Sequence, residues 1–339
     1  MAVTIVVVAR VAGVGVGTVS RVLNNSEAVK ESTRQKVLAA IAQLNFSPDP
    51  IARSMITRRT GTIGVIMPFV TRFFGSEVLR GLINAATKQG YELVIYNVED
   101  NKQREHYFLK LPMLRRVDGL IIVSLSPEEA IAQSFHKNNL PTVVLDGYSP
   151  LLTSIVVNNV MGAYQAVKHL IDKGHRRIGF INGIVEGSFK FNQANDRLIG
   201  VHMALSDAGI VYDPSLMLET EWNRAGGRCA ATQLLESPEP PTAIFASSDV
   251  QAVGVLEAAR NHGLLVPLDL SVIGFDGVEL SEIMELSTIQ QPMQYMGELG
   301  FTKLLHQIEN KTNEVELIRL ETALVERKTT AAPLIAENQ

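Results

Sequence analysis

A chain of 339 residues, 46% hydrophobic and 19% charged, can bury more than one core and is long enough for two or three domains. Its single cysteine, Cys229, excludes a disulfide framework and a cysteine metal site, and no apolar run approaches the ~20 residues of a transmembrane helix. The formal net charge is −4, yet residues 1–60 hold eight basic against three acidic side chains, a net +5 that leaves −9 on the remainder. A basic head on an acidic body is expected if only the head meets phosphate, although a basic solvated surface gives the same charge pattern. Ala2–Val8 imitates a signal-peptide core, but it lacks a basic leading region and Arg10 interrupts it, so cytoplasmic residence is expected.

From the N-terminus, Val8, Ala9 and Ala12 form the inner face of a first helix, and Gly13 supplies a tight turn. Val19 and Val22 anchor a short second helix, and Thr33–Leu44 makes a third. That spacing is a helix-turn-helix, which leaves Val16, Gly17, Thr18, Ser20 and Arg21 free to enter a major groove. Val6–Ala9 followed by Gly13, Gly15 and Gly17 also imitates a strand and a dinucleotide turn. Its spacing is GxGxG rather than GxGxxG, and no acid closes a strand about twenty residues on.

From Thr62 short apolar strands alternate with helices. The first round is Ile63–Met67 (strand), Ser76–Gln89 (helix), Tyr91–Tyr96 (strand), His106–Arg115 (helix), Gly119–Val123 (strand), Glu128–Lys137 (helix), Thr142–Leu145 and Ser154–Val157 (strands). The second is Gly162–Lys173 (helix), Ile178–Ile181 (strand), Asp196–Ala208 (helix), Leu216–Glu219 (strand), Arg224–Leu235 (helix), Ala243–Ala246 (strand), Val250–His262 (helix) and Val272–Phe275 (strand). Cys229 falls in a helical pattern beside Gly227, Ala230 and Ala231 and is expected to be buried or half-buried. His175 reads as a turn residue. The helix Met296–Glu309 and the strand Thr322–Glu326 follow the second round, so they are expected to return to earlier sheets through crossovers.

The fold class expected is therefore a small all-α helix-turn-helix headpiece plus an α/β body of two doubly wound parallel-sheet subdomains. Residues 1–46 form the headpiece and 47–60 a hinge helix and linker. Residues 61–160 with 291–321 form the first subdomain, and 161–290 with 322–339 the second. Ligands of such sheets sit outside the carboxyl ends of the strands, here in a cleft between the subdomains.

TVSRVLN at Thr18–Asn24 and TRQKVLAAIAQLNFSPDPIAR at Thr33–Arg53 resemble the headpiece of the lactose-repressor (LacI/GalR) family. The likeness continues through GVIMP at Gly64–Pro68, VDGLII at Val117–Ile122, HLIDKGHRRIGFI at His169–Ile181 and RLIGVHMALSDAGI at Arg197–Ile210. SVIGFDG at Ser271–Gly277, STIQQP at Ser287–Pro292 and LVERKTTAAP at Leu324–Pro333 complete it. The resemblance implies a repressor with a periplasmic-binding-protein-like body, binding operator DNA as a homodimer under the control of a small molecule. That molecule would be a sugar or, alternatively, a purine or nucleoside. No cofactor, metal or membrane is implied.

Carried over by position, Val16, Gly17 and Thr18 would touch base edges, and Ser20, Arg21 and Asn24 phosphate or groove. Thr4 and Gly15 stand at the helix starts. Pro50–Ile56 matches a hinge helix, with Ile51, Ala52 and Arg53 near the groove and Met55 where the family inserts an apolar wedge. In the body Phe73, Phe74, Asn158, Arg197, Trp222, Ser248, Asp249, Asp276 and Gln291 match effector-pocket positions. Arginine and aspartate over an aromatic face suit a sugar's hydroxyls.

Three departures stand out. Val7 replaces the acid of a capping box on the first helix, Gly15 replaces the serine before the second, and Thr71-Arg72 replaces the Asn-Pro before Phe73. A looser headpiece and thin base readout follow from the first two. Only Leu334–Gln339 follow Pro333, too little for a tetramerising heptad helix, so a dimer is expected.

Two other readings compete. A binding protein without DNA function would treat residues 1–24 as a signal peptide, and leaves Thr33–Arg53 unexplained. A nicotinamide enzyme stands or falls on the GxGxG turn. No nucleophile with its base, metal cluster or phosphate loop is legible, so catalysis is not expected.

Overall fold

Apolar residues at helical spacing form a three-helix cluster at the N-terminus. The computed structural model describes residues 3–23, 26, 28–46, 59–114, 116–184, 189, 192–312 and 314–334. Two compact units result, Met1–Gly61 and Thr62–Gln339. In the first, α1 (Ile5–Ala12), α2 (Val16–Leu23) and α3 (Glu31–Gln43) enclose Val8, Ala9, Val19, Val22, Val37 and Ala40. Gly13 ends α1 in the left-handed conformation, φ 65° and ψ 34°, which a β-carbon would penalise.

The larger unit holds two six-stranded sheets. In chain order the strands are β1 (Thr62–Pro68), β2 (Glu92–Val98), β3 (Gly119–Val123), β4 (Thr142–Leu145), β5 (Thr153–Val157), β6 (Ile178–Gly183), β7 (Met217–Thr220), β8 (Ala243–Ala246), β9 (Ser271–Asp276), β10 (Ser287–Gln290), β11 (Leu317–Leu320) and β12 (Ala323–Val325). Their helices are α4 (Phe73–Lys88), α5 (Asn101–Leu114), α6 (Glu129–Lys137), α7 (Asn159–Asp172), α8 (Asn192–Asp207), α9 (Arg224–Leu235), α10 (Asp249–Asn261), α11 (Glu279–Ile283) and α12 (Met293–Asn310). The sheet orders are β11-β5-β4-β3-β1-β2 and β12-β10-β9-β8-β6-β7. Every pairing is parallel except β10 with β12.

Period-two alternation sends side chains to opposite faces, so each sheet is cored on both sides. In the first, Val65, Ile121 and Val143 pack with residues of α4 and α12, while Ile66, Ile122 and Val144 face Phe108 of α5 and Phe135 of α6. In the second, Phe180, Phe245 and Ile273 face α7 and α8, and Ile181, Ile244 and Val272 face α9 and α10. The late chain crosses over: β11 joins the first sheet beside β5, and β12 joins the second beside β10.

Several expectations shift. α4 begins at Phe73 and α8 at Asn192, each three or four residues before the expected start. β10 and β11 carry no strand signal. Ser287 and Thr288 are buried through hydroxyl hydrogen bonds rather than apolarity, and β11 is a four-residue edge strand. Cys229 is exposed, because Gly227, Ala230 and Leu234 take the buried stripe of α9. His175 follows the turn at 173–174 and is buried, 1% exposed: it hydrogen-bonds Thr242 Oγ1 (2.8 Å) and donates from Nε2 to the Ala331 carbonyl (2.9 Å), pinning the C-terminal segment. No single helix among the described residues is long and apolar enough to cross a membrane.

Candidate functional site

In the headpiece α1 and α2 meet at 103°, within the range of a DNA-binding helix-turn-helix. Because Val19 and Val22 turn inward, Val16, Gly17 and Arg21 lie on the exposed face of α2, with Thr18 and Ser20 half-buried at its margins. Gly15 is exposed, and its carbonyl accepts from Thr18 N (2.9 Å) and Val19 N (3.3 Å). Thr4 is extended before α1, but its side chain makes no cap hydrogen bond and the first turn has no acid. Asn24, Ile51, Ala52, Arg53 and Met55, with the rest of the hinge expectation, lie outside the described residues.

In the body, the carboxyl ends of the two parallel sheets border a cavity of about 270 Å³. Strand ends and helix starts build its wall, as the crevice rule requires. From the first sheet's lobe come Met67, Pro68, Phe69, Thr71, Arg72, Phe73, Phe74, Gly75, Val123, Ser124 and Asp146. From the second come Gln193, Arg197, Trp222, Asn223, Ser248, Val250 and Asp276. Phe73, Phe74, Arg197, Trp222, Ser248 and Asp276 are thus brought together.

Three other expected positions stand behind that wall. Asn158 is the N-cap of α7, its Oδ1 accepting from Met161 N (3.3 Å). Asp249 is fully buried, accepting from the Gly277 and Val278 amides (2.8 and 3.0 Å) and from the Thr288 hydroxyl (2.6 Å). Its lone pairs are spent on holding the β9–α11 turn, which removes it from the cavity. Gln291 donates from Nε2 to Asp276 Oδ1 (2.7 Å) and orients that carboxylate from the rear. Ser248 reaches the wall, but its hydroxyl caps α10, accepting from Gln251 N (3.2 Å) and donating to Gln251 Oε1 (2.9 Å).

Arg197 is the centre of the second lobe's wall. Its Nε donates to Asn159 Oδ1 (2.9 Å) and its Nη1 to the Ser247 carbonyl, while Nη2 lies 4.0 Å from Asp276 Oδ1. The guanidinium sits 3.7 Å over the Phe275 ring and 5.4 Å from that of Trp222. Burial lowers its pKa, and Asp276 opposes the shift. Burial likewise pushes the Asp276 carboxyl up, against the pull of Arg197, and it does the same to Asp146. Asp276 also holds a positive φ of 120°, a conformation costly outside glycine that recurs where a site dictates side-chain aim.

Three polar residues of the wall, Asp146, Ser124 and Gln193, were not singled out in the sequence. Asp146 follows β4 with its Oδ2 bonded by the Ser124 hydroxyl (2.7 Å), and Ser124 follows β3. Gln193 donates to the Asp146 carbonyl (2.5 Å), tying the lobes. Its Oε1 and the Trp222 indole Nε1 are buried with no hydrogen-bond partner among the described residues. Gly183 makes the seat of Trp222: a β-carbon there would lie 1.8 Å from the indole. The crevice rule, applied to the residue after each strand, would have found Ser124 and Asp146.

The family profile of lacI-type bacterial regulatory proteins matches residues 4–49, and that of the periplasmic binding protein-like domain matches residues 167–330. The ribose operon repressor of Escherichia coli K12 is 37% identical over 330 residues, covering 94% of this chain and 97% of its own. A Lac repressor dimer bound to operator and the anti-inducer ONPF superposes with a TM-score of 0.87 at 31% identity, over 98% of this chain and 100% of that one. A LacI family regulator from Enterococcus faecium with bound ribose gives a TM-score of 0.72 at 29% identity, over 80% and 99%.

Proposed function

The chain belongs to the LacI family of bacterial transcriptional regulators, and we propose that its controlling ligand is a sugar or sugar derivative held between the two lobes. It is a DNA-binding repressor whose operator affinity answers to a small molecule bound by the periplasmic-binding-protein-like body, and its family is one of regulators rather than enzymes. The observation that carries the ligand class is the pairing of aromatic faces with polar atoms in one cavity. Phe74 and Trp222 offer ring surfaces, while Arg197, Asp146, Asp276 and the unpartnered Trp222 Nε1 and Gln193 Oε1 offer donors and acceptors for hydroxyls.

The residues read as DNA-facing, Thr4, Gly15, Val16, Gly17, Thr18, Ser20, Arg21 and Asn24 with the hinge positions Ile51, Ala52, Arg53 and Met55, would engage a pseudo-palindromic operator as a homodimer in the cytoplasm, at the nucleoid. Met55 would wedge into the minor groove. Ligand would change the angle between lobe 61–160 with 291–321 and lobe 161–290 with 322–339, and so the order of the paired hinges. Such coupling is reciprocal between the two sites.

Thermal melting of the purified protein against sugars and nucleobases tests the ligand class, since a bound ligand stabilises the body by mass action. A sugar that raises the melting temperature and shifts operator binding in a gel is the expected result. A rise with adenine or guanine alone would replace the sugar by a purine, which the same aromatic faces could stack.

A further inference from the structure

Arg72 is a cation that the sugar-hydroxyl chemistry of the cleft does not use. It lines the cavity, half-buried, with its guanidinium 3.7 Å over the Phe69 ring. That ring is braced edge-on by Phe189 at 5.6 Å, and Phe69 itself holds a positive φ of 48°, rare for a bulky residue. Arg72 makes no ion pair or side-chain hydrogen bond among the described residues, and Glu221 is the acid whose charge acts on it. Stacking of this kind fixes a guanidinium in place while leaving its N–H edges free.

The same wall contains the start of α4. Arg72 is its N-cap, without a side-chain cap, and its first turn carries no acid. The amides of Phe73, Phe74 and Gly75 find no acceptor among the described residues, because the backbone bonding of the helix begins at Ser76 N to the Arg72 carbonyl (3.0 Å). An uncompensated helix N-terminus beside an unpaired guanidinium concentrates positive potential on the part of the lining that the first lobe supplies. Elsewhere in the wall Arg197 stands 4.0 Å from Asp276, and that pair can hold hydroxyls without a second cation.

We propose that Arg72 makes this cleft selective for an anionic polyol, a sugar bearing a phosphate or carboxylate group. Its hydroxyls meet Asp146, Asp276 and Arg197, and its acid group meets Arg72 and the first turn of α4. The proposal rests on the cleft being the effector site. Phosphate and carboxylate share the recognising chemistry, because either accepts a forked pair of N–H bonds from a guanidinium.

Calorimetric titration of the full chain with glucose, glucose 6-phosphate and gluconate, and with ribose and ribose 5-phosphate, tests it. The expected result is that an acid member binds about tenfold or more tightly than its neutral parent, as charge-assisted bonds do. Arg72→Gln should remove that advantage while leaving the parent's affinity within about twofold, and Arg72→Lys should keep most of it. Preference for 6-phosphate over gluconate, or the reverse, identifies the acid group. Neutral parents binding as tightly as the acids overturn the proposal and leave the effector cleft standing. Equal weakening of acid and parent by Arg72→Gln also overturns it, because Arg72 would then shape the wall or draw in Glu221. Absence of binding by every probe overturns both this proposal and the sugar reading of the cleft.

Discussion

The two units of this chain differ in core size and in helix capping, since among the described residues the side-chain caps of their α-helices all lie in the body. In the body, Asn158, Asn223 and Ser248 each cap a helix with a side-chain oxygen, at 3.3, 2.8 and 3.2 Å, whereas α4, α6, α11 and α12 start without one. In the headpiece, Thr4 and Lys30 make no such bond, and Gly15 before α2 has no side chain to make one. The body buries four apolar clusters on two sheets, while the headpiece buries six residues around one. Small cores are marginal, and each cap is worth about 0.5–2 kcal/mol. The unit that holds ligand is therefore overdetermined, and the unit that meets DNA depends on a handful of valines.

The largest effect that would break this comparison lies in the body. Arg197→Ala removes the cation around which the second lobe's wall is arranged and leaves Asp276 and Asp146 without it. Effector affinity should fall about 100-fold or more, with operator binding retained, and a mobility-shift titration with and without effector reads both. Unchanged induction would remove Arg197 from the pocket.

A second test uses pH. Burial pushes the Asp276 carboxyl from its ordinary 3.8 up to about 8, so the folded body holds that proton more tightly than the unfolded chain. The stability this contributes is complete below about pH 4 and is lost as pH rises toward 8. Asp276→Asn deletes the dependence while keeping size and a residue type that tolerates positive φ. Its melting temperature should match the wild type near pH 4 and exceed it increasingly by pH 8, at about 2–4 °C per kcal/mol. A difference that stays flat between those limits would show that the carboxyl titrates normally. The buried Asp249, raised for the same reason, remains in both proteins and keeps some slope.

Third, Val19→Ala in the headpiece and Val255→Ala in the body remove the same two methyl groups from fully buried sites. Each should cost about 1–3 kcal/mol. The headpiece change is expected to abolish operator binding with the body's melting unaltered, whereas the body change should shift melting and leave operator binding intact. If both variants retain operator binding, the headpiece has more reserve than its core suggests.

The alternation of β and α was legible because sheets covered on both faces write continuous apolar runs, such as Gly119–Val123, buried throughout. β10 was not, because Ser287 and Thr288 reach the interior by hydrogen bonds that depend on Thr330 and Asp249, far along the chain. In the site, Arg197 and Asp276 could be placed through the motifs that contain them. Asp146 and Ser124 were not legible as motifs, only as the residues that directly follow β4 and β3, where the crevice rule looks for a site. Nor could Asp249 be separated from Asp276, both acids at the ends of elements in the same lobe. What separates them is that the first has its oxygens engaged by Gly277, Val278 and Thr288.

The smallest effects return to α2, where the comparison can be sharpened without touching the core. Gly17 lies within the helix on its exposed face, and a β-carbon there would meet nothing within 4 Å; the same is true at Gly15. Neither has a positive φ that would resist a side chain. Gly17→Ala should therefore stabilise the headpiece by about 0.5–1 kcal/mol through lost unfolded-state freedom. Gly15→Ser should add a few tenths more by supplying the missing cap. Amide hydrogen exchange resolved to residues 5–43 reads the gain, and the body's exchange serves as the internal control. If protection rises in α1, α2 and α3 together, the headpiece opens as one unit and its helix starts limit its stability. If it rises in α2 alone, α2 frays independently of its neighbours, and the weakness of the headpiece lies in one helix rather than in its core.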